Sequence, residues 1–409
     1  MKAGTTALTY PEFTPGTGKE PPYLAGREAE QAALCAPLSL LRRGEGANSD
    51  IIVIGPRGNG KTVLLDWFRK QCKQENTVAT AWLTPAKIKN DFDELIRALT
   101  PPDSWKKFLP MGMELGPEAL VKLKWEFGGE AQMLTELLKT RCRERPLVVL
   151  LDEAHTLDKE IGFTLLNVSQ KLRQQAPLLL VLGGTPGLQY QLNDMSATFW
   201  NRSEKLGIGL LNEADARDAL LQPFNLHKIR LDEAVLETVV DAGQRYPYFL
   251  QCWGEALTGI LRIREQETGV SLRRIDAAVL EQARPEFNRR RNAYYEPMRE
   301  ELEHAGLLGL AAWLTRAYDK REVAHEGEVD TVIRSHLSEQ RANGAPTEEE
   351  VSVLRRQLAG FGYIWRPPSE VAVWHSGIPS LMSHVLMVAE EKESTSAYHA
   401  TRIERVNPD

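Results

Sequence analysis

Over roughly the first half of the chain, short apolar runs alternate with segments of mixed polarity. Runs such as Ile51–Ile54 and Leu147–Leu151 are continuous and rich in aliphatic residues, so they predict buried strands. The segment that begins at Lys61 spaces its apolar residues three and four apart, as an amphipathic helix does. Alternating strands and helices predict a parallel sheet with helices on both faces. Further strands are predicted at 77–85, 178–184 and 206–211, and further helices at 89–100, 130–145 and 162–175.

After residue 211 the pattern becomes helical and then changes again. Helical periodicity is found at 212–224, 231–243, 246–266, 271–287, 296–318 and 347–362, and residues 363–375 resemble two strands around a Pro-Pro-Ser turn. Helices followed by a hairpin predict a small winged-helix-like α+β domain. The predicted division is a mobile tail (1–22), an α/β core (23–211), a helical lid (212–290), the winged-helix-like domain (291–388) and a polar tail (389–409). Residues 101–129 break the periodicity and are interpreted as an insertion.

Composition, charge and cysteine spacing favour some classes of protein and exclude others. The chain has 409 residues, 42% of them hydrophobic and 26% charged, which is typical of soluble globular proteins of more than one domain. Its net charge of −6 does not favour non-specific coating of nucleic acid. No apolar run approaches the ~20 residues of a membrane helix, so no membrane partner is expected. The scattered cysteines predict neither a zinc site nor disulfides, and favour a reducing cytoplasm; they are Cys35, Cys72, Cys142 and Cys252.

The sequence GPRGNGKT follows the first predicted strand and opens the next helix. Glycines in such a loop allow the backbone N–H groups to surround phosphate oxygens, and the helix N-terminus favours the anion. Lys61 would reach the β- and γ-phosphates, and the Thr62 hydroxyl would coordinate Mg²⁺. The alternative is a plain glycine turn between strand and helix. The residues predicted to contact the nucleotide here are Gly55, Pro56, Arg57, Gly58, Asn59, Gly60, Lys61, Thr62 and Val63.

The sequence LLDE ends a second predicted strand with two acids. Asp152 is the candidate metal ligand, and Glu153 is the candidate catalytic residue that polarises the attacking water. An acidic strand end that caps the next helix is the simpler alternative. The string DEAH also occurs in helicases, but a helicase needs a second motor domain, and its motifs are not found downstream. His155 is therefore interpreted as a helix-start residue and not as a catalyst.

Together these motifs resemble the AAA+ P-loop ATPases, in the branch shared by origin-recognition-type initiators and STAND-like ATPases. The resemblance extends to YLAGRE, where Arg27 would lie against the adenine, and to LLLVLGGTP, where Thr185 would sense the γ-phosphate. It also implies that Arg202 is an arginine finger that points at the nucleotide of a neighbouring subunit. Pro247 would pack on the base of the nucleotide. The simpler alternatives are a surface charge at Arg27, a strand end at Thr185 and a helix first turn at Pro247.

The resemblance implies an ATPase that uses ATP and Mg²⁺, bound between core and lid, as a switch controlling self-association. The initiators' Gly-x-Arg sensor has no clear match in the lid, so hydrolysis is expected to be slow. Two alternatives stay open. One is a DNA-associated initiator or transposition regulator that holds duplex DNA through its C-terminal domain, and the other is a non-hydrolysing scaffold for a protein partner. The basic residues considered for DNA are Arg289, Arg290, Arg291, Arg355, Arg356 and Arg366.

Overall fold

The computed structural model describes residues 10–74, 77–100, 128–318, 323–341, 344–370 and 372–391, which include only the last two residues of the predicted insertion. The described residues form two compact units. The α/β unit comprises Gly16–Gly55 and Asn59–Gly209. The helical unit comprises residues up to Pro15, the short stretch Pro56–Gly58 and the chain from Leu210 onward.

The α/β unit is built on a five-stranded sheet with the order β2-β3-β4-β1-β5, in which every neighbouring pair is parallel. This confirms the parallel sheet predicted from the alternating pattern. The carboxyl ends of parallel strands meet at one edge, and the ends of β3, β4 and β1 are adjacent there. The strands are β1 (Ile51–Ile54), β2 (Ala79–Leu83), β3 (Leu147–Leu151), β4 (Leu178–Gly184) and β5 (Glu204–Gly207).

Side chains of the central strands point alternately into two apolar cores, one on each face of the sheet. In β1, Ile51 and Val53 belong to one core and Ile52 and Ile54 to the other, and all four are buried. The first core lies under α1 (Glu28–Cys35), α2 (Leu38–Arg42) and α3 (Lys61–Gln74). The second lies under α4 (Pro85–Ile88), α5 (Phe92–Leu99), α6 (Glu130–Glu144), α7 (Lys159–Arg173) and α8 (Gly187–Arg202).

Two features of this unit differ from the sequence-based expectation. The last strand was expected at residues 206–211, but β5 begins at Glu204, which pairs with Ile51, and ends at Gly207. Pairing with β1 sets this register, because β1 ends at Ile54. Helix α8 was not predicted. Its sequence has a weak apolar period, and its backbone departs from helical geometry at Ser196 (φ −161°).

The first part of the helical unit contains four long helices. The indole of Trp253 stacks on Phe287 with ring centroids 4.1 Å apart, which joins the third helix to the fourth. The fourth continues through Pro285 and Pro297, so the predicted division at residues 290/291 falls inside one helix. The helices are α9 (Glu213–Leu226), α10 (Glu233–Ala242), α11 (Pro247–Thr268) and α12 (Ala277–His304), and the short parallel strands β6 (Arg230–Leu231) and β7 (Arg274–Ile275) connect them.

The single helix expected at residues 296–318 is divided in two. Helix α12 ends at His304, and Gly306 adopts φ +69°, a left-handed conformation that favours glycine. The Leu307 N–H donates to the Leu302 carbonyl over 2.8 Å, which satisfies one of the last helical acceptors. A new helix, α13 (Leu308–Tyr318), follows this turn.

The C-terminal part combines helices with a three-stranded antiparallel sheet of order β8-β10-β9. Strands β9 and β10 are the two strands expected around the Pro-Pro-Ser turn, whereas β8 and the polar helix α14 were not predicted. This arrangement of helices and hairpin agrees with the predicted winged-helix-like domain, here called the winged-helix module, and residues 381–391 are helical after it. The elements are β8 (Val323–His325), α14 (Glu326–Glu339), α15 (Glu348–Gly360), β9 (Ile364–Trp365) and β10 (Val373–Ser376).

Within the described part of the chain, no helix combines the length and apolarity needed to cross a bilayer. All four cysteines belong to this part, and none forms a disulfide.

Candidate functional site

The loop after β1 requires glycine at defined positions. A Cβ on Gly55 would collide with the Ile208 carbonyl beside it, so the loop can leave the sheet only with glycine there. Gly58 and Gly60 adopt φ +79° and +90°, the left-handed region that turns successive N–H groups toward one side. The Asn59 side chain donates to the Ile208 carbonyl over 3.0 Å and ties the loop to the end of β5.

Helix α3 begins at Lys61, directly after this loop. The hydroxyl of Thr62, in its first turn, donates to the Asp152 carboxylate, with 2.7 Å between Thr62 Oγ1 and Asp152 Oδ2. Asp152 follows the last residue of β3, so the contact joins two elements that are far apart in sequence. Lys61 is adjacent to Thr62, and its positive charge acts on the Asp152 carboxylate. The structure thus brings Lys61, Thr62 and Asp152 together.

Asp152 is buried, with 5% of its surface exposed. Burial raises the pKa of its carboxyl, while the Thr62 hydroxyl, the Glu153 N–H and the Lys61 charge act in the opposite direction. Gly183 lies beside it on β4, and a Cβ there would come within 3.1 Å of Asp152 Oδ1. A carboxylate and a hydroxyl oxygen in contact are a donor set that suits Mg²⁺.

Glu153 has a strained backbone and an exposed side chain. Its φ of +56° and ψ of +29° lie in the left-handed region, which is uncommon for a residue with a side chain and concentrates at functional sites. The residue directly precedes a short 3₁₀ helix, Ala154–Thr156. Its side chain is 60% exposed, so the carboxylate is open to water next to the Thr62–Asp152 pair.

Thr185 follows the end of β4, between the strand ends that carry Asp152 and the loop. It is 4% exposed, and its hydroxyl has no hydrogen-bond partner among the described residues. A buried hydroxyl without a partner is costly, so it indicates a ligand or water at this position. The Thr185 N–H donates to His155 Nδ1 over 3.4 Å. Sequence reasoning had not assigned a role in the site to His155.

Arg27 is buried near the same loop. Its guanidinium donates to the carbonyls of Gly209 (2.7 Å) and Asn59 (3.3 Å) and lies 3.5 Å from the Glu30 carboxylate. It therefore braces the loop and the chain after β5, so it is not a loose surface charge. No described contact bears on the predicted packing of this guanidinium against an adenine.

Comparison with known proteins shows which family this site resembles. A sequence model of the AAA ATPase domain family matches residues 23–182, the range that carries the loop, Thr62, Asp152 and Glu153. Over this range the chain is similar to the AAA ATPase domain family. No curated protein sequence is significantly similar to the chain.

The chain also has solved structural neighbours, which match it over most of its length. The Walker-type ATPase PABY2304 of Pyrococcus abyssi matches with a TM-score of 0.57 and 16% identity, over 89% of this chain and 96% of that one. The ORC2 protein of Aeropyrum pernix matches with a TM-score of 0.53 and 15% identity, over 91% of this chain and 96% of that one. At these identities the likeness shows a shared fold.

Three further predicted site residues are Val63, Arg202 and Pro247. Arg202 is exposed at the last position of α8, and Val63 is half-buried in the first turn of α3. Pro247 is the first residue of α11 in the helical unit, where its missing N–H leaves no helical hydrogen bond unmade. The expected role of Arg202 concerns a neighbouring subunit, and Pro247 belongs to the other compact unit, so both roles stay predictions.

Pro56, Arg57 and Gly58 pack within the helical unit. The Tyr246 hydroxyl donates to the Arg57 carbonyl and lies 3.0 Å from the Tyr294 hydroxyl. The Arg57 guanidinium is 3.2 Å from the Glu301 carboxylate on α12. By their contacts, these three residues of the phosphate-loop sequence thus belong to the helical unit.

The arginines considered for DNA contact are largely engaged with acids of the helical unit. Arg289 pairs with Glu286 over 2.7 Å, and Arg290 pairs with both Glu255 and Glu286. In the winged-helix module, Arg355 and Arg366 both lie next to Glu326, at 3.1 Å and 3.4 Å. The acids that neutralise these guanidinium groups weaken the predicted attraction for phosphates.

Proposed function

We propose that the AAA ATPase domain binds ATP with Mg²⁺ and hydrolyses it slowly, and that the nucleotide state controls self-association and engagement of a partner. The observation that carries the proposal is the 2.7 Å hydrogen bond between Thr62 and the buried Asp152, next to a glycine loop that opens helix α3. The Thr62 and Asp152 oxygens would bind a cation, and the adjacent Lys61 would bind phosphates, at the carboxyl edge of the sheet.

The loop geometry fits a triphosphate. Positive φ angles at Gly58 and Gly60 turn backbone N–H groups to one side, and the first N–H groups of α3 have no helical acceptor. The helix dipole adds partial positive charge at the same end. The chain therefore offers backbone donors and the Lys61 ammonium to an anion, and each would stabilise the β- and γ-phosphate charge.

The oxygens of Thr62 and Asp152 fit a magnesium ion carried by the nucleotide. When bound, such an ion would neutralise phosphate charge and orient the phosphate for in-line attack. Asp152 is held in place by the Thr62 hydroxyl and by the Glu153 N–H, which donates to Asp152 Oδ1 over 3.0 Å. Asp152 is less exposed than Glu153, so it is better suited to bind a metal ion than to accept a proton from water.

Glu153 and Thr185 are suited to holding the attacking water. The Glu153 carboxylate is exposed and able to accept a proton from water, and the buried Thr185 hydroxyl has a hydrogen bond to give. These two residues come from the ends of neighbouring strands, β3 and β4. Between them they would orient water toward the γ-phosphate.

Adenine nucleotides are the natural ligands to test. The Aeropyrum pernix ORC2 protein, whose fold this chain shares, was solved in complexes with ADPNP and ADP. Similarity at 15% identity does not transfer this ligand, but it makes ATP the first candidate.

The contacts of Arg57 support the switch. Its carbonyl accepts from Tyr246 and its guanidinium pairs with Glu301 on α12, so a ligand that reorders the phosphate loop must strain or release these contacts. Self-association would respond to that change. We expect the molar mass measured by light scattering to differ between ATP, ADP and no nucleotide, and an unchanged mass would argue against the switch.

The test of hydrolysis is steady-state phosphate release with ATP and Mg²⁺. Replacement of Glu153 by Gln should lower the rate by about 100-fold or more, because the amide cannot accept a proton from water. The matched control is Glu160→Gln, an exposed position at the start of α7, which should leave the rate unchanged. Equal, near-zero rates for wild type and Glu153→Gln would favour the non-hydrolysing scaffold.

A further inference from the structure

The backbone of Glu153 is fixed more firmly than its side chain. The Glu153 N–H donates to Asp152 Oδ1 over 3.0 Å, and its carbonyl accepts from both the N–H and the hydroxyl of Thr156, each over 3.0 Å. The side chain is 60% exposed. An exposed glutamate has several accessible rotamers, so a fixed backbone alone does not orient the carboxylate.

A single ring meets that carboxylate. His155 Nε2 lies 3.5 Å from Glu153 Oε2, and within the described residues His155 is the only ion-pair partner of Glu153. The His155 side chain is 14% exposed, so it has less freedom than the glutamate. Hydrogen bonds of catalytic groups are often long without ligand and shorten when the site is loaded.

The hydrogen bond at the other ring nitrogen determines which nitrogen of His155 carries the proton. The Thr185 N–H points at His155 Nδ1 over 3.4 Å, which makes Nδ1 an acceptor. A neutral imidazole carries one proton, so it must then lie on Nε2, the atom that faces Glu153. The chain of contacts runs from the end of β4, through the ring, to one oxygen of the candidate base.

We infer that His155 is a positioning residue for Glu153, coupling the Thr185 backbone at the end of β4 to the orientation of the carboxylate. Nε2–H holds Oε2, and this leaves Oε1 to face the attacking water. The inference rests on the proposed hydrolysis. A change at the γ-phosphate end that moves Thr185 would shift the ring and, with it, the glutamate.

Kinetics separate positioning from simple packing. His155→Leu has a similar volume and loses the contacts to Thr185 and Glu153. His155→Asn keeps an acceptor for Thr185, and His155→Gln keeps a donor that can reach Glu153. We expect kcat to fall about tenfold or more in the Leu and Asn variants and less than about threefold in Gln, with ADP affinity unchanged in all three. Equal kcat for Leu and wild type would overturn the inference, as would a parallel loss of ADP affinity.

A double-mutant cycle tests whether His155 acts through Glu153. In a Glu153→Gln background, His155→Leu should cause no further loss of kcat, because the group it positions is gone. If the double variant instead lost kcat by the product of the two single-variant factors, the inference would be overturned. A wild type whose hydrolysis is lost in Glu153→Gln but retained in His155→Leu would reject only the role of His155, while a wild type without hydrolysis would reject the proposed function as well.

The position of the proton on the His155 ring can be measured independently of activity. Nitrogen-15 NMR of labelled histidine at about pH 8, where an ordinary imidazole is neutral, should show His155 with its proton on Nε2. Its signal is identified by its absence in His155→Gln. Glu153→Gln should shift the Nε2 resonance, and the control Glu160→Gln should not. A proton on Nδ1, or no response to Glu153→Gln, would overturn the inference.

Discussion

Thr62 and Asp152 are 90 residues apart in sequence, yet their side-chain oxygens are 2.7 Å apart. The contact joins the first turn of α3 to the carboxyl end of β3. Removing either partner changes a buried carboxylate that is also the candidate metal ligand, so the pair is a sensitive point for mutation.

Thr62→Ala should lower ATP hydrolysis by roughly tenfold or more and raise the Mg²⁺ concentration needed for half-maximal activity. The alanine removes a metal oxygen and leaves Asp152 without its hydroxyl donor. Phosphate release measured against MgCl₂ concentration checks this. Thr62→Ser keeps the hydroxyl and should behave like wild type; a serine variant as impaired as alanine would contradict the role of the hydroxyl.

Asp50, buried directly before β1, should make stability depend on pH. Burial raises its pKa to about 6, against the opposing effects of Arg173, the Leu180 N–H and Ser169. The folded state therefore holds a proton more tightly than the unfolded chain, so stability from this group is present below about pH 4 and is lost as pH rises toward 6.

Urea unfolding of wild type and Asp50→Asn between pH 4 and 7 measures this effect. The wild-type free energy of unfolding, relative to Asp50→Asn, should decrease by roughly 2–3 kcal/mol as pH rises through that range. A difference that stays constant, or increases with pH, would show that the Arg173 charge 3.8 Å away dominates over burial.

Arg355 should contribute to stability of the winged-helix module. Its guanidinium lies 2.5 Å from Asp330 Oδ1 and 3.1 Å from Glu326, and the side chain is 16% exposed. Arg355→Ala leaves Asp330 without its cation and Glu326 with Arg366 as its remaining partner, so we expect a loss of about 1–3 kcal/mol in thermal unfolding.

Arg356→Ala, an exposed change on the same helix, should alter stability by less than about 0.5 kcal/mol. Duplex binding measured across a salt titration adds a second readout. If Arg355→Ala weakened duplex binding without any loss of stability, the arginine would serve DNA and not the module's own packing.

Much of the α/β unit could be predicted because its strands are continuous apolar runs, and Lys61, Thr62, Asp152 and Glu153 stand next to two of those runs. Helix α8 escaped prediction because its apolar period is weak and broken at Ser196. The sequence pattern predicted separate helices at 271–287 and 296–318 and not their union in α12, since a proline such as Pro297 usually marks a helix boundary. Packing of the helix against its neighbours overrides that local preference.

The partners within the site depend on strand order, which a linear pattern does not contain. His155 reaches Thr185 only because β3 and β4 are adjacent in the sheet. The same limit applies to Arg27, whose acceptors are at Asn59 and Gly209.

The arginines considered for DNA were identified from charge alone. Glu286 is within one helical turn of Arg289 and Arg290. Glu255 and Glu326, in contrast, come from other elements that only the fold brings close.

Calorimetric titration of ADP and Mg²⁺ into wild type, Lys61→Ala and Lys73→Ala tests the central claim most directly. Lys73 is an exposed lysine in the last turn of the same helix, so it controls for loss of charge on α3. Wild type and Lys73→Ala should bind with equal affinity, and Lys61→Ala about 100-fold more weakly, a loss of roughly 3 kcal/mol. Equal affinity of Lys61→Ala and wild type, or no binding by wild type, would contradict a nucleotide site at this loop.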